Sequence, residues 1–305
     1  MKKILITISL VLLTIIVGYT IYFFYTINTP VDKLSDQNIS FEITHGQSTA
    51  DIATNLQKHK IIKSAFTFQA YTYVNKTKFL PGVYYLKKNQ SYEEIIQILS
   101  QGQVAEQKIT IPEGWRITQI ADYLDKNDII SYDEFYEKAK NLEGYLFPDT
   151  YRISLNPSVD EIITKMHSNF NQKTAPLNLT KDKLILASIV EREANATDDR
   201  AKIAGVFQNR LDIGMHMGAD PTIQYALGNW DSITQADYQA VKSPYNTYIN
   251  LGLPPGPICN PGLPSIKASL NPSKHDYYYF FHTKDRQTVY SKTLKEHEAN
   301  FASYQ

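Results

Sequence analysis

The sequence predicts an α+β protein: an N-terminal transmembrane helix, a small β/α module, and a larger mixed domain behind it. Three observations predict this. Met1-Lys2-Lys3 is followed by an uncharged run over 4–27; a strand, glycine and helix unit occurs twice; and from residue 142 helical patterns alternate with a dense Pro/Gly loop at 243–264. The chain has 305 residues, enough for two modest domains with real cores. Lys+Arg and Asp+Glu are both 31, and this balance argues against a nucleic-acid binder, which carries a basic excess or stripe. Cys259 is the one cysteine, so no disulfide within the chain and no Cys-rich metal site is possible.

Each element follows in order. The run over 4–27 is long enough, at about 1.5 Å per residue, to cross a hydrocarbon core of about 30 Å. Tyr19, Tyr22 and Tyr25 lie toward its far end, as in an interfacial aromatic belt. Lys2 and Lys3 hold the short N-terminus inside, so the rest faces outward. A cleaved signal peptide would have a shorter apolar region and a small-residue cleavage site; an uncleaved anchor is the expectation. Residues 28–38 are polar and read as a linker. A strand over 39–44, helices over 51–60 and 64–74, and a strand ending at Leu86 follow. Ser91 and Glu94 form a capping-box signature for a helix over 92–100.

Ile43, Gly46, Ile52, Ala53, Leu56, Ile61 and Ile62 recur 68 residues later as Ile111, Gly114, Ile120, Ala121, Leu124, Ile129 and Ile130. Two readings fit: a module used twice, or the common look of strand–turn–helix units. Beyond it, helices are expected at 159–171, at 181–194 with Thr180 as cap, at 199–213 before Gly214, and at 292–304. Strands are expected at 277–282 and 289–291.

The chemistry concentrates on the helix over 181–194. Leu186, Ile189, Val190 and Glu193 share one face, at separations of seven, four and three residues. A carboxyl against apolar walls loses hydration, keeps its proton and can serve as a general acid. Glu191 lies on another face, with Leu184, Ala187 and Ser188. For either glutamate, an ion pair with Arg192, Arg200 or Arg210 is the competing reading, and spacing alone favours it. No H-E-x-x-H, phosphate loop, dinucleotide fingerprint or G-x-S-x-G elbow occurs. No metal or cofactor is expected. Carboxylates, Tyr, Asn and Gln around Pro/Gly loops suit carbohydrate work, and Tyr in particular suits a wet groove.

Here the chain resembles the endolytic murein transglycosylases of the MltG/YceG-like family. The resemblance rests on Ala187-Ser188-Ile189-Val190-Glu191-Arg192-Glu193 and on Glu143-Gly144-Tyr145-Leu146-Phe147-Pro148-Asp149-Thr150-Tyr151. Val206-Phe207-Gln208-Asn209-Arg210-Leu211 and Ala219-Asp220-Pro221-Thr222-Ile223-Gln224-Tyr225 add to it. Tyr245-Asn246-Thr247-Tyr248 followed by Gly252-Leu253-Pro254-Pro255-Gly256-Pro257-Ile258 is its most specific part. It implies a tip and anchor at 1–27, the linker at 28–38, a LysM-like module at 39–105 and a lysozyme-like lytic transglycosylase domain at 106–305. It also implies an enzyme of the plasma (inner) membrane, single-pass, with its catalytic domain extracytoplasmic or periplasmic. That enzyme would cut nascent peptidoglycan strands without water, leaving 1,6-anhydro ends, near the glycan-polymerising and penicillin-binding machinery. The family's catalytic glutamate maps onto Glu193. Ala194 stands where related enzymes carry Ser or Thr. Asn246, Tyr245 and Tyr248 are expected to line the groove, with Gln224 and Asp220 opposite. Structural roles in the Pro/Gly loop compete with these assignments. Two alternatives remain: a non-catalytic cell-wall scaffold, and a muramidase with a second carboxylate among Asp149, Asp220 and Glu191.

Overall fold

The structure is a computed structural model that describes residues 2–194 and 199–304, with backbone alone for 2–6. Met1 of the expected tip and Gln305 lie outside the described residues. Helix α1 (Lys2–Asn28) contains an apolar window, Thr7–Asn28, with mean hydropathy 2.1. Its last turn belongs to the globular part: Thr26 and Ile27 are buried, and Phe23 packs on the same cluster. The expected linker is tied down as well. The Asp32 N–H donates to the Lys88 carbonyl at 3.0 Å, and Lys87 meets Asp36 at 2.5 Å.

After α1 come β1 (Ile39–Ile43), α2 (Thr49–Lys58), α3 (Ala65–Val74), β2 (Gly82–Leu86) and α4 (Tyr92–Gln101). β1 and β2 pair antiparallel, Ile39 opposite Leu86 and Ile43 opposite Gly82. Ser48, Ser64 and Ser91 cap α2, α3 and α4, and Ser91 with Glu94 completes the expected capping box. The same order then returns as β3 (Glu106–Thr110), α5 (Ile117–Lys126), α6 (Tyr132–Ala139), β4 (Thr150–Ser154) and α7 (Val159–Thr174). α5 and β4 start and end 68 residues after α2 and β2. The left-handed backbone positions recur too: Gly46 (φ 80°) and Gly114 (77°), Lys60 (55°) and Asp128 (54°), Lys76 (49°) and Gly144 (87°). Of the two readings of the repeat, the duplicated module is the correct one. Its shared core is Ile52, Ala53 and Leu56 in the first copy, and Ile120, Ala121 and Leu124 in the second.

A 3₁₀ turn (Ala175–Leu177) leads to α8 (Lys181–Glu193), α9 (Arg200–Asp212), α10 (Asp220–Leu227), the single turn α11 (Asp237–Ala240) and α12 (Leu263–Leu270). An antiparallel hairpin, β5 (Tyr279–His282) and β6 (Thr288–Ser291), and α13 (Leu294–Ser303) close the chain. α8 is buried from Leu184 through Val190 without a break, packed by α9 and α12. Residues up to 107, with 152–156, form one compact unit; 108–151 and 157 onward form the second.

Candidate active site

The site is built on the C-terminal end of α8. Thr180 caps the helix through the Lys183 N–H, and Ala194 leaves it with extended backbone. Because seven consecutive residues are buried, both glutamates emerge from a covered helix, so burial does not separate them as a single apolar stripe would. Their partners do. Glu191 is 7% exposed; its Oε2 accepts the Gly262 N–H at 3.0 Å, and Arg200 lies 3.9 Å from Oε1. Glu193 receives no side-chain hydrogen bond from the described residues. Enclosure pushes its carboxyl up to about 8, the negative charge of Asp220 adds to the rise, and Arg210 opposes it. The ion-pair reading therefore describes Glu191, and the protonated-acid reading describes Glu193.

The neighbours of Glu193 are held by loop chemistry. Asp220 opens α10, with Pro221 in its first turn, where a missing N–H costs nothing. The buried Thr247 hydroxyl accepts the Ala219 N–H at 3.0 Å and meets the Thr222 hydroxyl at 2.9 Å. Tyr248 donates its hydroxyl to Asp220 Oδ1 at 2.5 Å, and Tyr238 stacks on Tyr248 at 4.1 Å between centroids. Burial, then Asp220, holds the Tyr248 phenol far above its ordinary range. Arg210, 9% exposed, donates from Nε to the Tyr278 carbonyl at 2.6 Å and from Nη1 to the Met217 carbonyl.

Of the sequence-predicted residues, the structure brings Glu193, Asp220 and Tyr248 together. Asn246 does not line a groove: it is fully buried, its Nδ2 donates to the Tyr238 and Val241 carbonyls, and its Oδ1 accepts the Tyr248 N–H. It positions the Tyr238–Tyr248 stack. Gln224 donates to the carbonyls of Trp230 and Asp231 and clamps that turn. Tyr245 packs on Tyr225 at 4.7 Å in a second cluster. Asp149 is exposed and accepts a bond from Asn169 at 3.0 Å.

That second cluster centres on Glu143. Its carboxyl accepts the Ile117 N–H at 3.2 Å and the Asn260 amide at 3.2 Å, near Arg116. Enclosure still raises it to about 8. It lines a recess of about 400 Å³ with Tyr225, Tyr245 and Pro257. Glu143 and Arg210 lie inside the family-like motifs, but no residue spacing points to a place for either in the site, because both are set by contacts from distant segments. Tyr238 carried no signal. Cys259 is buried, and its thiol, 3.3 Å from the Ser188 carbonyl, is pushed well up by burial, so it is no nucleophile.

The profile of the YceG-like family matches residues 41–303. A Bacillus subtilis protein named endolytic murein transglycosylase is 37% identical, over 93% of this chain and 89% of its own. A Streptococcus pneumoniae protein of the same name is 30% identical, over 90% of this chain and 60% of its longer sequence. The crystal structure of a YceG-like protein from Listeria monocytogenes, 34% identical, covers 87% of this chain and 99% of its own, with a TM-score of 0.57.

Proposed function

The chain belongs to the YceG-like family, and from that membership and the geometry around Glu193 we propose how it works as a peptidoglycan lytic transglycosylase. The carrying observation is a carboxyl that keeps its proton to about pH 8 at the end of a buried helix, beside the Asp220–Tyr248 pair. Protonated Glu193 gives its proton to the oxygen joining C1 of N-acetylmuramic acid to O4 of N-acetylglucosamine. The C1–O4 bond breaks, and positive charge develops at C1. The muramic 6-hydroxyl attacks C1, and its proton passes to the Glu193 carboxylate. The acid is regenerated, water is not consumed, and the products are a 4-hydroxyl end and a 1,6-anhydro end. Asp220 keeps the proton on Glu193 between turnovers and faces the developing positive charge. The Tyr238–Tyr248 stack offers an apolar ring face to the sugar while the Tyr248 hydroxyl stays on Asp220.

The strand–helix–helix–strand unit at 39–86 supports reading the first module as LysM-like, a glycan-holding element. α1 supports a single-pass plasma-membrane anchor, with the globular part extracytoplasmic. Cutting near the bilayer would end strand growth where the glycan-polymerising machinery adds to it. Mass spectrometry of purified sacculi tests the chemistry. Wild type yields anhydro ends, and Glu193→Gln loses about 10²–10⁴-fold in rate while keeping its circular dichroism. Reducing ends from the wild type would replace this scheme with a hydrolytic one, and full activity in Glu193→Gln would leave Glu193 without a catalytic role.

A further inference from the structure

α3 leaves most of one face uncovered by the described residues. Phe68 and Thr72 are buried, whereas Phe66, Tyr73 and Val74 are 68%, 86% and 76% exposed. Phe66, Ala70 and Tyr73 fall at i, i+4 and i+7 and so form one stripe. A groove of about 680 Å³ is lined by Phe66, Ala70 and Tyr73 together with Lys76 and Lys78. Single exposed apolar residues are ordinary; a contiguous patch is not. The duplicated module supplies an internal control. Matching cap to cap, Ser64 with Ser131, and buried Phe68 with buried Phe135 sets α6 67 residues after α3, so Asp133, Glu137 and Lys140 stand in the places of Phe66, Ala70 and Tyr73. The same module thus folds with a polar face at these positions, and the apolar stripe of α3 is not a requirement of the fold.

α1 indicates what covers the stripe. The Tyr19 ring lies 6.1 Å from the Phe66 ring, and Lys63 Nζ sits 4.5 Å over the Tyr25 ring. Tyr19 precedes Asn28 by nine residues, about 13 Å along the helix axis. Even if the whole ring separation ran along that axis, Phe66 would lie below the level at which α1 ends. A module held this way does not hover clear of the lipid. We infer that α3 lies in the membrane interface, with Phe66, Ala70, Tyr73 and Val74 among the acyl chains of a phospholipid bilayer. Lys63, Lys76 and Lys78 then reach the phosphates, as amphipathic helices with basic flanks do. This rests on the reading of α1 as a membrane anchor.

Spin-label accessibility on the full chain in phospholipid nanodiscs tests both readings separately. Labels are placed through Phe66→Cys, Tyr73→Cys, Leu13→Cys in α1 and Lys140→Cys in the tandem copy; buried Cys259 stays unlabelled. Oxygen partitions into lipid and a nickel chelate into water. The expected result is several-fold greater oxygen than nickel relaxation at 13, 66 and 73, and the reverse at 140. Lipid-like behaviour at 13 with water-like behaviour at 66 and 73 overturns the inference and leaves the anchor standing. Water-like behaviour at 13 removes the anchor and the inference with it. Low accessibility to both reagents at 66 and 73 means that protein, not lipid, covers the face, and also overturns the inference.

Discussion

At the residue scale, different partners separate the two glutamates at the end of α8. Glu191 has a backbone donor and an arginine; Glu193 has enclosure and Asp220. Since Asp220 raises the Glu193 carboxyl, removing its charge lowers it. A general acid acts only in its protonated form, so the alkaline limb of the pH–rate profile follows this carboxyl. Wild type is expected to lose activity as pH rises through about 8, and Asp220→Asn is expected to lose it at lower pH. An unmoved limb in Asp220→Asn would break the link between the two carboxyls. The sequence showed the helix and the glutamate pair but not which glutamate is tied. The Gly262 N–H and Arg200 reach Glu191 from other segments of the chain, and helical spacing carries no information about them. Asn246 illustrates the same limit: its residue type suits sugar binding, and only its burial reveals that its amide holds the Tyr238–Tyr248 loop.

At the element scale, the regular helices and the final hairpin were legible because their periodicity and caps agree. α6, α10 and α12 were not. α10 and α12 each begin with Pro in the first turn, which reads as a chain breaker inside a Pro/Gly-rich stretch although it suits a helix start. α9 carries a different feature invisible to periodicity. Gly205 sits mid-helix, where Gly→Ala ordinarily gains about 1 kcal/mol. Here an added Cβ would stand 2.3 Å from the Ser273 carbonyl oxygen and 2.6 Å from His275 Nε2. The Ser273 segment cannot simply retreat, because its N–H donates to the Ala201 carbonyl at 2.8 Å. Overpacking costs about 1–3 kcal/mol and outweighs the propensity gain. Gly205→Ala is therefore expected to lower the melting temperature by several degrees in a thermal scan; a rise would show that the 273–275 segment yields freely.

At the scale of the whole molecule, the raised carboxyls make stability depend on pH in an unusual sense. Glu143 and Glu193 stay protonated to about 8 when folded and ionise near 4.3 when unfolded. Between these values the folded state holds more protons, so stability falls as pH rises and levels off above about 8. Half-buried His282 and His297, pushed down chiefly by desolvation, act oppositely, but their contribution is complete once pH passes about 6.5. Asp36, Asp237 and Asp276, all held low by hydrogen bonds, act only in acid. The window from about 6.5 to 8 therefore belongs to the glutamates. Trp115 and Trp230 both lie in the second unit, so their fluorescence follows its unfolding in particular. The denaturation midpoint by tryptophan emission is expected to fall from pH 6.5 to 8.5 in the wild type, and to fall less in Glu143→Gln, which can still accept the Ile117 N–H but cannot ionise. An identical slope in the two proteins would mean that Glu143 is ionised in the folded state, with Arg116 outweighing its enclosure.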